Sequence, residues 1–222
     1  MYYIDRTELG ARLAAVIAPT VTVEPIIVCL KESALATSIS LATELRGWIF
    51  PLLCEDIKLD ADDRIVGVVS GDGDFTLNPS LSSFEYDDIM SEYHSVIEDK
   101  KRQAYSQLNS RLASYGVLNE DVFNGRQVIL CGDVIKNQIH IGAAKTLLKP
   151  HRPSGIVAAV GNVDVNAADL LRLTADQVHL MDVMSSMFDD NHYFEKSDPY
   201  SIDILRKIAM NVSQFWKPQK AI

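Results

Sequence analysis

The stretch VILCGDVIKNQIH, residues 128–140, joins a strand pattern to a helix pattern across a single acid. The four apolar residues at its start are typical of a buried strand, and the pattern from His140 onward is typical of a helix. In a parallel α/β sheet the carboxyl ends of the strands open into the ligand crevice, and helix N-termini attract anions. We therefore predict a turn at Asp133 with a phosphorylated ligand held beside it.

The residues that follow repeat the same alternation of strand and helix patterns. Apolar runs at 155–160 and 177–183 flank a helical pattern at 166–173. Strands that alternate with helices of this length form βαβ units, whose helices cover both faces of a parallel sheet. The sequence therefore predicts an α/β fold with a doubly wound, mostly parallel sheet, in which 128–131 and 156–160 are buried interior strands.

The first half of the chain and its C-terminal part carry further elements. Asp5 and Glu8 form a capping-box pattern ahead of a first helix, which Pro19 ends. Because Pro51 cannot donate a ladder hydrogen bond, the strand at 48–54 should lie at an edge or contain a bulge. The remaining expectations are a strand at 26–30, a helix at 34–45 ended by Gly47, an acidic loop at 55–63, a strand at 64–70, a hairpin turn at 71–74, a helix at 87–114 ended by Gly116 and a helix at 201–210.

Composition and charge restrict the classes of partner. The chain has 222 residues and a formal net charge of −9, with Lys and Arg scattered along it. A surface that follows nucleic-acid phosphates needs concentrated positive charge, so we predict no nucleic-acid partner. No apolar run approaches the roughly 20 residues that span a bilayer, and Asp5 lies where a signal peptide would be apolar. We therefore expect a cytoplasmic protein that does not bind membranes.

The cysteines and histidines show no metal-ligand spacing. Cys29, Cys54 and Cys131 each lie in or beside an apolar run, which is typical of reduced thiols in a protein core. The five histidines have no spacing that would place two of them on one helical face as ligands. We predict no structural metal.

The order of elements and several local strings resemble the type I phosphoribosyltransferases, especially bacterial members with a long helical insertion. The resemblance runs from YIDRTELGARLA at 3–14 to NHYFEKSDP at 191–199, and it places the family signature on the stretch quoted above. It implies a single phosphoribosyltransferase-like domain over 1–222, with a helical insertion at 84–118 and a C-terminal hood and tail at 184–222. The habit of the family also favours a homodimer.

The resemblance implies binding roles for residues that follow two of the strands. In the family, paired acids hold the ribose hydroxyls of phosphoribosyl pyrophosphate, and loop amides at the next helix hold its 5′-phosphate. No catalytic residue is assigned. By resemblance, the phosphate and ribose positions are Asp133, Lys136, Asn137, Gln138 and His140, and the pyrophosphate-loop positions are Lys31, Glu32 and Ser33.

Three of these places depart from the family pattern. Gly132 stands where the family has its first acid, Glu32 adds a carboxylate to the pyrophosphate loop, and Glu55 and Asp56 replace a basic pair. A carboxylate 4 Å from a second negative charge is repelled by about 4 kcal/mol at an effective dielectric near 20. We therefore expect impaired catalysis, in a protein that binds a nucleotide or sugar phosphate or acts as a regulatory or partner-binding module. The alternative is an active transferase that uses phosphoribosyl pyrophosphate, a nucleobase-like acceptor and Mg²⁺.

Several of the same residues also have a purely structural explanation. Aspartate is favoured in turns on local grounds, which suits Asp133, and Asn137 is a good helix N-cap. A single lysine at the end of a strand, such as Lys31, is commonly solvated. Tyr193 and Phe194 suit core packing as well as the stacking of a base. The sequence leaves the ligand, the acceptor, the pathway and the activity open.

Overall fold

The computed structural model describes residues 1–21, 24–59, 64–115 and 119–215, which form six α-helices and eight strands. The helices are α1 (Arg6–Ile17), α2 (Leu35–Leu45), α3 (Ser83–Tyr115), α4 (Ile139–Leu148), α5 (Val165–Thr174) and α6 (Ile202–Phe215). The strands are β1 (Ile26–Cys29), β2 (Trp48–Pro51), β3 (Cys54–Lys58), β4 (Ile65–Ser70), β5 (Phe75–Leu77), β6 (Gln127–Ile135), β7 (Gly155–Asp164) and β8 (Gln177–Met184).

A five-stranded parallel sheet, in the order β2-β1-β6-β7-β8, lies at the centre of the fold. Successive residues of a strand face opposite sides, so Val128 and Leu130 pack with α4 and α5, whereas Ile129 and Cys131 pack with α1, α2 and α6. Burial on both faces explains why these strands are continuous apolar runs. The predicted α/β fold with a doubly wound, mostly parallel sheet is confirmed.

The two predicted interior strands are also confirmed, but β6 extends beyond its apolar run. The predicted turn at Asp133 is wrong, because β6 continues to Ile135 and pairs with β7 through Val134 and Asn162. An acid is tolerated inside the strand because Arg6 pairs with it within the protein. The connection from β6 to α4 is therefore confined to residues 136–138.

A second, three-stranded antiparallel sheet packs under the long helix, in the order β3-β4-β5. The acidic loop predicted at 55–63 is wrong over 55–58, since these residues belong to β3 and pair with β4. Leu53 and Ile57 pack in a core cluster with α3. The charged residues around them hid this apolar pattern in the sequence. Residues 60–63 of that prediction lie outside the described residues. The hairpin turn at 71–74 is confirmed between β4 and β5.

The long helix α3 covers this second sheet with its apolar side. Ile97, Ala104 and Leu108 are buried against the sheet, as the helical spacing of the sequence predicts. The helix is interrupted at Tyr93, whose φ of −117° and ψ of 15° are not helical, and this break was not predicted. The predicted end at Gly116, and residues 116–118 of the predicted insertion, lie outside the described residues.

Two predicted boundaries differ from those of the structure in an informative way. Pro51 ends β2, which is an edge strand of the described sheet, as expected from its missing donor. Helix α2 ends on Arg46 in the left-handed conformation, with φ of 53°, rather than on a left-handed glycine. Gly47 is needed for packing instead, because a Cβ there would lie 2.2 Å from Ile27 Cδ1.

Both ends of the described chain pack against the same face of the sheet. The N-cap of α1 is confirmed, because Asp5 Oδ1 accepts the Glu8 N–H at 2.8 Å. Helix α6 packs on α2 through Leu205 and Ala209, and it extends five residues past the helix predicted at 201–210. Residues 216–222 of the predicted tail lie outside the described residues. Within the described part of the chain, no helix has the length and apolarity that crossing a membrane requires.

Candidate functional site

A cavity of about 530 Å³ opens at the carboxyl edge of the parallel sheet, under α3. Its walls come from the segments that follow β1, β2 and β6 and from strand β3, which places it in the crevice where α/β proteins bind ligands. The polar side chains on its walls include Lys31, Glu32, Ser33, Glu55, Asp56, Lys100, Arg111, His140 and Asp190.

The structure brings together residues from both predicted groups of positions. Lys31, Glu32 and Ser33 lie on the wall that follows β1, and His140 lies on the wall that follows β6. Lys136 joins them through an ion pair with Asp190, which also binds Lys31. Segments that are more than 100 positions apart in the sequence therefore meet at one cavity.

Asp190 bridges the two lysines across the cavity edge. Its Oδ2 accepts from Lys31 Nζ at 2.8 Å, and its Oδ1 lies 2.9 Å from Lys136 Nζ. Burial would raise the pKa of Asp190, but the hydrogen bonds and charges of the two lysines outweigh it, and the pKa is lowered. Because one carboxylate serves two ammonium groups, the three side chains together carry a net positive charge.

Glu32 is surrounded by donors, so the sequence-based expectation of an unpaired carboxylate is wrong. Its Oε1 accepts from Tyr115 Oη at 2.7 Å and Arg206 Nε at 2.9 Å, and its Oε2 accepts from Arg111 Nη1 and Arg206 Nη2, each at 3.1 Å. Burial would raise the pKa of Glu32, but the hydrogen bonds from Arg206 and Tyr115 outweigh it, and the pKa is lowered. Arg111 also binds Glu55, so the second added carboxylate is paired as well.

Asp133 faces the protein interior and does not line the cavity. Its side chain is 0% exposed, with Oδ2 accepting from Arg6 Nε at 2.6 Å and Oδ1 accepting the Val134 N–H at 2.7 Å. A Cβ at the preceding Gly132 would lie 2.7 Å from Ile135 Cδ1, so a larger residue there would require the Ile135 side chain to move. The contact with ribose that the resemblance assigns to Asp133 stays a prediction, and in this conformation both oxygens are already hydrogen bonded.

Asn137 and Gln138 hold the start of α4 in place. Asn137 Oδ1 accepts the Ile139 N–H at 3.2 Å in an Asx turn, and the N-cap of α4 is Gln138, one residue later than the N-cap that the sequence suggested. Gln138 Nε2 donates to the Asn166 carbonyl at 2.7 Å and ties α4 to the start of α5. Their predicted contacts with a phosphate stay predictions.

His140 is a neutral group on the cavity wall. Burial lowers its pKa to about 4, although the nearby Asp56, 4.0 Å from Nε2, raises it. At neutral pH the imidazole therefore donates a single ring N–H and carries no charge. In this state it can donate one hydrogen bond to a phosphate but adds no positive charge.

The aromatic residues of the hood are packing residues in this conformation. Tyr193 is fully buried, and Phe194 packs beneath the guanidinium of Arg6, 4.3 Å from its centre. The structural explanation that the sequence left open is therefore the one observed. A buried tyrosine leaves no face free to stack a base.

Sequence reasoning missed the residues that organise the charges of the cavity. Asp190, Arg111, Tyr115 and Arg206 lie in stretches whose local patterns predict only a turn or an amphipathic helix. Only the folding of distant segments onto one another shows that these side chains meet. The spacing of Arg111 and Tyr115, four positions apart on α3, was the one local signal that they share a helical face.

The cysteines and acids show no metal-binding cluster within the described ranges. Cys29, Cys54 and Cys131 are free thiols, as predicted, and burial raises the pKa of Cys54 and Cys131 to about 12. Among the residues that the structure describes, no three His, Cys, Asp or Glu side chains are grouped so that they could hold a metal ion.

Comparisons with known proteins identify a fold rather than a family. No protein-family model matches the sequence, and no curated protein matches it. The solved structure of TT1426 from Thermus thermophilus is similar with a TM-score of 0.73 and 20% identity, over 96% of this chain and all of that one. This similarity shows a shared fold.

Two weaker similarities support no conclusion about ligand or activity. A hypothetical protein from Neisseria gonorrhoeae with bound ppGpp gives a TM-score of 0.44 and 11% identity, over 74% of this chain and 72% of that one. A hypoxanthine phosphoribosyltransferase from Staphylococcus aureus gives a TM-score of 0.41 and 12% identity, over 82% of this chain and 75% of that one.

Proposed function

We propose that the chain binds a small phosphorylated ligand, a nucleotide or a sugar phosphate, in the cavity at the carboxyl edge of the sheet, and that it does not transfer phosphoribose. The observation that carries the proposal is the bridge of Lys31 and Lys136 on Asp190. A phosphate carries more charge and more acceptor oxygens than a carboxylate, so it can displace Asp190 as the partner of the two lysines.

Ser33 supports the same assignment. Its hydroxyl is buried on the cavity wall and has no hydrogen-bond partner among the described residues. A buried hydroxyl without a partner is unfavourable by roughly 1 to 3 kcal/mol, and a ligand oxygen in the cavity would relieve that cost. Lys100 adds a further cationic side chain to the wall on the α3 side.

The acids at the end of β6 support the part of the proposal that excludes transfer of phosphoribose. The resemblance expects two acids there for the ribose hydroxyls, but one position is Gly132 and the other acid is held inside the protein by Arg6. Ile135 fills the space that a side chain at position 132 would use. A bound sugar would therefore lack the paired carboxylates on which the family relies.

An active transferase is the second candidate, and one observation favours it. Glu32 and Glu55 are paired with Arg111, and Glu32 also with Arg206, so the repulsion of a pyrophosphate expected from the sequence is offset. The Mg²⁺ that such an enzyme would use has a single candidate carboxylate here. Within the described residues only Asp56, among the acids of the cavity, is left without an Arg or Lys partner, and Mg²⁺ usually takes one or two carboxylates together with the substrate phosphates.

Calorimetry with nucleoside 5′-monophosphates tests the proposal on wild type and Lys136→Glu. We expect the variant to lose about tenfold or more in affinity, because an attractive charge becomes repulsive. Its free energy of unfolding should change by less than about 0.5 kcal/mol, since the side chain is partly exposed. Lys145→Glu, an exposed change of the same charge elsewhere on α4, is the matched control. Overlaying titrations of wild type and Lys136→Glu would show that this cavity edge is not the site.

Phosphoribosyl pyrophosphate with Mg²⁺ separates the two candidates. We expect weak binding or none, and no release of pyrophosphate with common nucleobases. Submicromolar binding, or steady release of pyrophosphate, would establish the active transferase instead.

A further inference from the structure

Four hydrogen bonds converge on the carboxylate of Glu32 from three side chains of two helices. Tyr115 and Arg111 come from α3 and Arg206 comes from α6, whereas Glu32 itself comes from the turn that follows β1. Each oxygen of Glu32 accepts two of the four bonds. This set of donors is hereafter called the anion cradle: Arg111, Tyr115 and Arg206.

The cradle has the composition of an oxyanion site. Arg206 offers two parallel donors, the fork geometry that suits both carboxylates and phosphates. Arg111 approaches from the other side and also lines the cavity, as Glu32 does. The cradle therefore lies next to the space in which a ligand would be held.

Two further acids among the described residues bind the cradle, one on each arginine, so its formal charge is zero when Glu32 is left out. Glu55 shares Arg111, and Asp203 shares Arg206. The side chain of Asp203 is 75% exposed, so water and salt screen most of its charge. Among the described acids that bind the cradle, Glu32 is the most buried, and it makes the most hydrogen bonds to the cradle.

We propose that Glu32 is an internal ligand of this cradle and that it excludes external phosphate groups from this part of the cavity. Because Glu32 is tethered beside its donors, a free anion must displace it before it can bind. The apparent affinity of the cradle for an external anion is reduced by the fraction of molecules in which the cradle is open. Removing the charge of Glu32 should therefore turn the cradle into a phosphate-binding site.

Titration with inorganic pyrophosphate, compared between wild type and Glu32→Gln, tests this. We expect the variant to bind at least about tenfold more tightly, which corresponds to a cradle that is open in fewer than about one in ten wild-type molecules. Glu120→Gln changes the net charge equally, at the 3-10 turn before the amino end of β6, and should leave the affinity unchanged. Equal affinity in wild type and Glu32→Gln would overturn the proposal.

Two double variants assign the gain to the cradle rather than to the lysine bridge. In Glu32→Gln/Arg206→Gln the gain should be lost, because the forked donor is gone. In Glu32→Gln/Lys136→Glu it should persist. A gain that disappears with Lys136 but survives the loss of Arg206 would overturn this inference and leave the proposed function intact. If instead the gain disappears with Arg206 and survives the loss of Lys136, this inference holds. If Lys136→Glu then also binds nucleotides normally, the proposed function is overturned.

Glu32→Asp tests the proposal with a variant that keeps the negative charge at position 32. The shorter carboxylate keeps the charge but cannot reach all four donors at once, so it should compete less well than Glu32. We expect a smaller gain in pyrophosphate affinity than in Glu32→Gln. Thermal unfolding of each variant confirms that the fold is retained, and a Glu32→Asp affinity equal to that of wild type would contradict the internal competition.

Discussion

Two carboxylate–cation contacts of the same chemistry occupy opposite environments in this protein. The pair of Arg6 and Asp133 is buried, with side chains 5% and 0% exposed. The bridge of Lys31, Asp190 and Lys136 is partly exposed, with side chains 25%, 24% and 38% exposed. The first lies under the sheet edge and the second at the cavity, although both Asp133 and Lys136 belong to the same short stretch of sequence.

The difference shows how burial decides what an ion pair can do. A buried pair has no water to replace a lost partner, so it holds its elements together and cannot exchange with a ligand. An exposed pair contributes little to stability, but its cations remain available to another anion. The buried acid of this stretch therefore holds α1 against the sheet, whereas the exposed lysine keeps an ammonium group accessible to another anion.

Breaking the buried pair should produce the largest effect. Asp133→Asn leaves Arg6 buried without its main counter-charge, and we expect a loss of about 3 kcal/mol or more in the free energy of unfolding. Asp198→Asn is the matched control, because Asp198 binds the same guanidinium at 3.1 Å but is partly exposed, and its loss should be clearly smaller. Urea denaturation measures both. A loss below about 1 kcal/mol in Asp133→Asn would remove the contrast between the two regions.

His140 should make the stability of the protein depend on pH. Its folded pKa of about 4 lies below the ordinary 6.5, so the unfolded chain binds more protons between these values. Stability should therefore fall as the pH drops from about 6.5 toward 4, by roughly 2 to 3 kcal/mol from this group. His140→Gln should flatten that part of the curve, whereas His94→Gln, an exposed change on α3, should not. Parallel curves for wild type and His140→Gln would contradict a neutral, buried imidazole.

Breaking the exposed bridge should have the smallest effect on stability and a visible effect on binding. Asp190→Asn removes the carboxylate that two lysines share, at a cost of less than about 1 kcal/mol, because the pairs are partly exposed. Affinity for nucleoside 5′-monophosphates should rise several-fold, since the lysines lose their internal competitor. Urea denaturation and calorimetry on the same preparation give both quantities. A large loss of stability without a gain in affinity would make the bridge a structural contact like the buried pair.

Local sequence patterns predicted the strands that are buried on both faces. β6 and β7 are buried on both faces, so every residue of their apolar runs reports the same environment. β3 was missed because its strand CEDIK has only Ile57 fully buried, and its pairing with β4 supplies what the composition does not. The break at Tyr93 has no marker such as Gly or Pro in α3, so the sequence could not place it.

The sequence by itself determined the α/β class and the two interior strands, because hydrophobic periodicity reports burial one element at a time. Only the tertiary structure decided which charges are paired. Asp133 turned inward because Arg6 of α1 reaches it, and Glu32 lost its repulsive character because Arg111 and Arg206 converge on it from α3 and α6. The electrostatic free energy of a charge depends on its burial and on its distance from other charges, which belong to residues far apart in the chain. A local sequence pattern reports neither quantity.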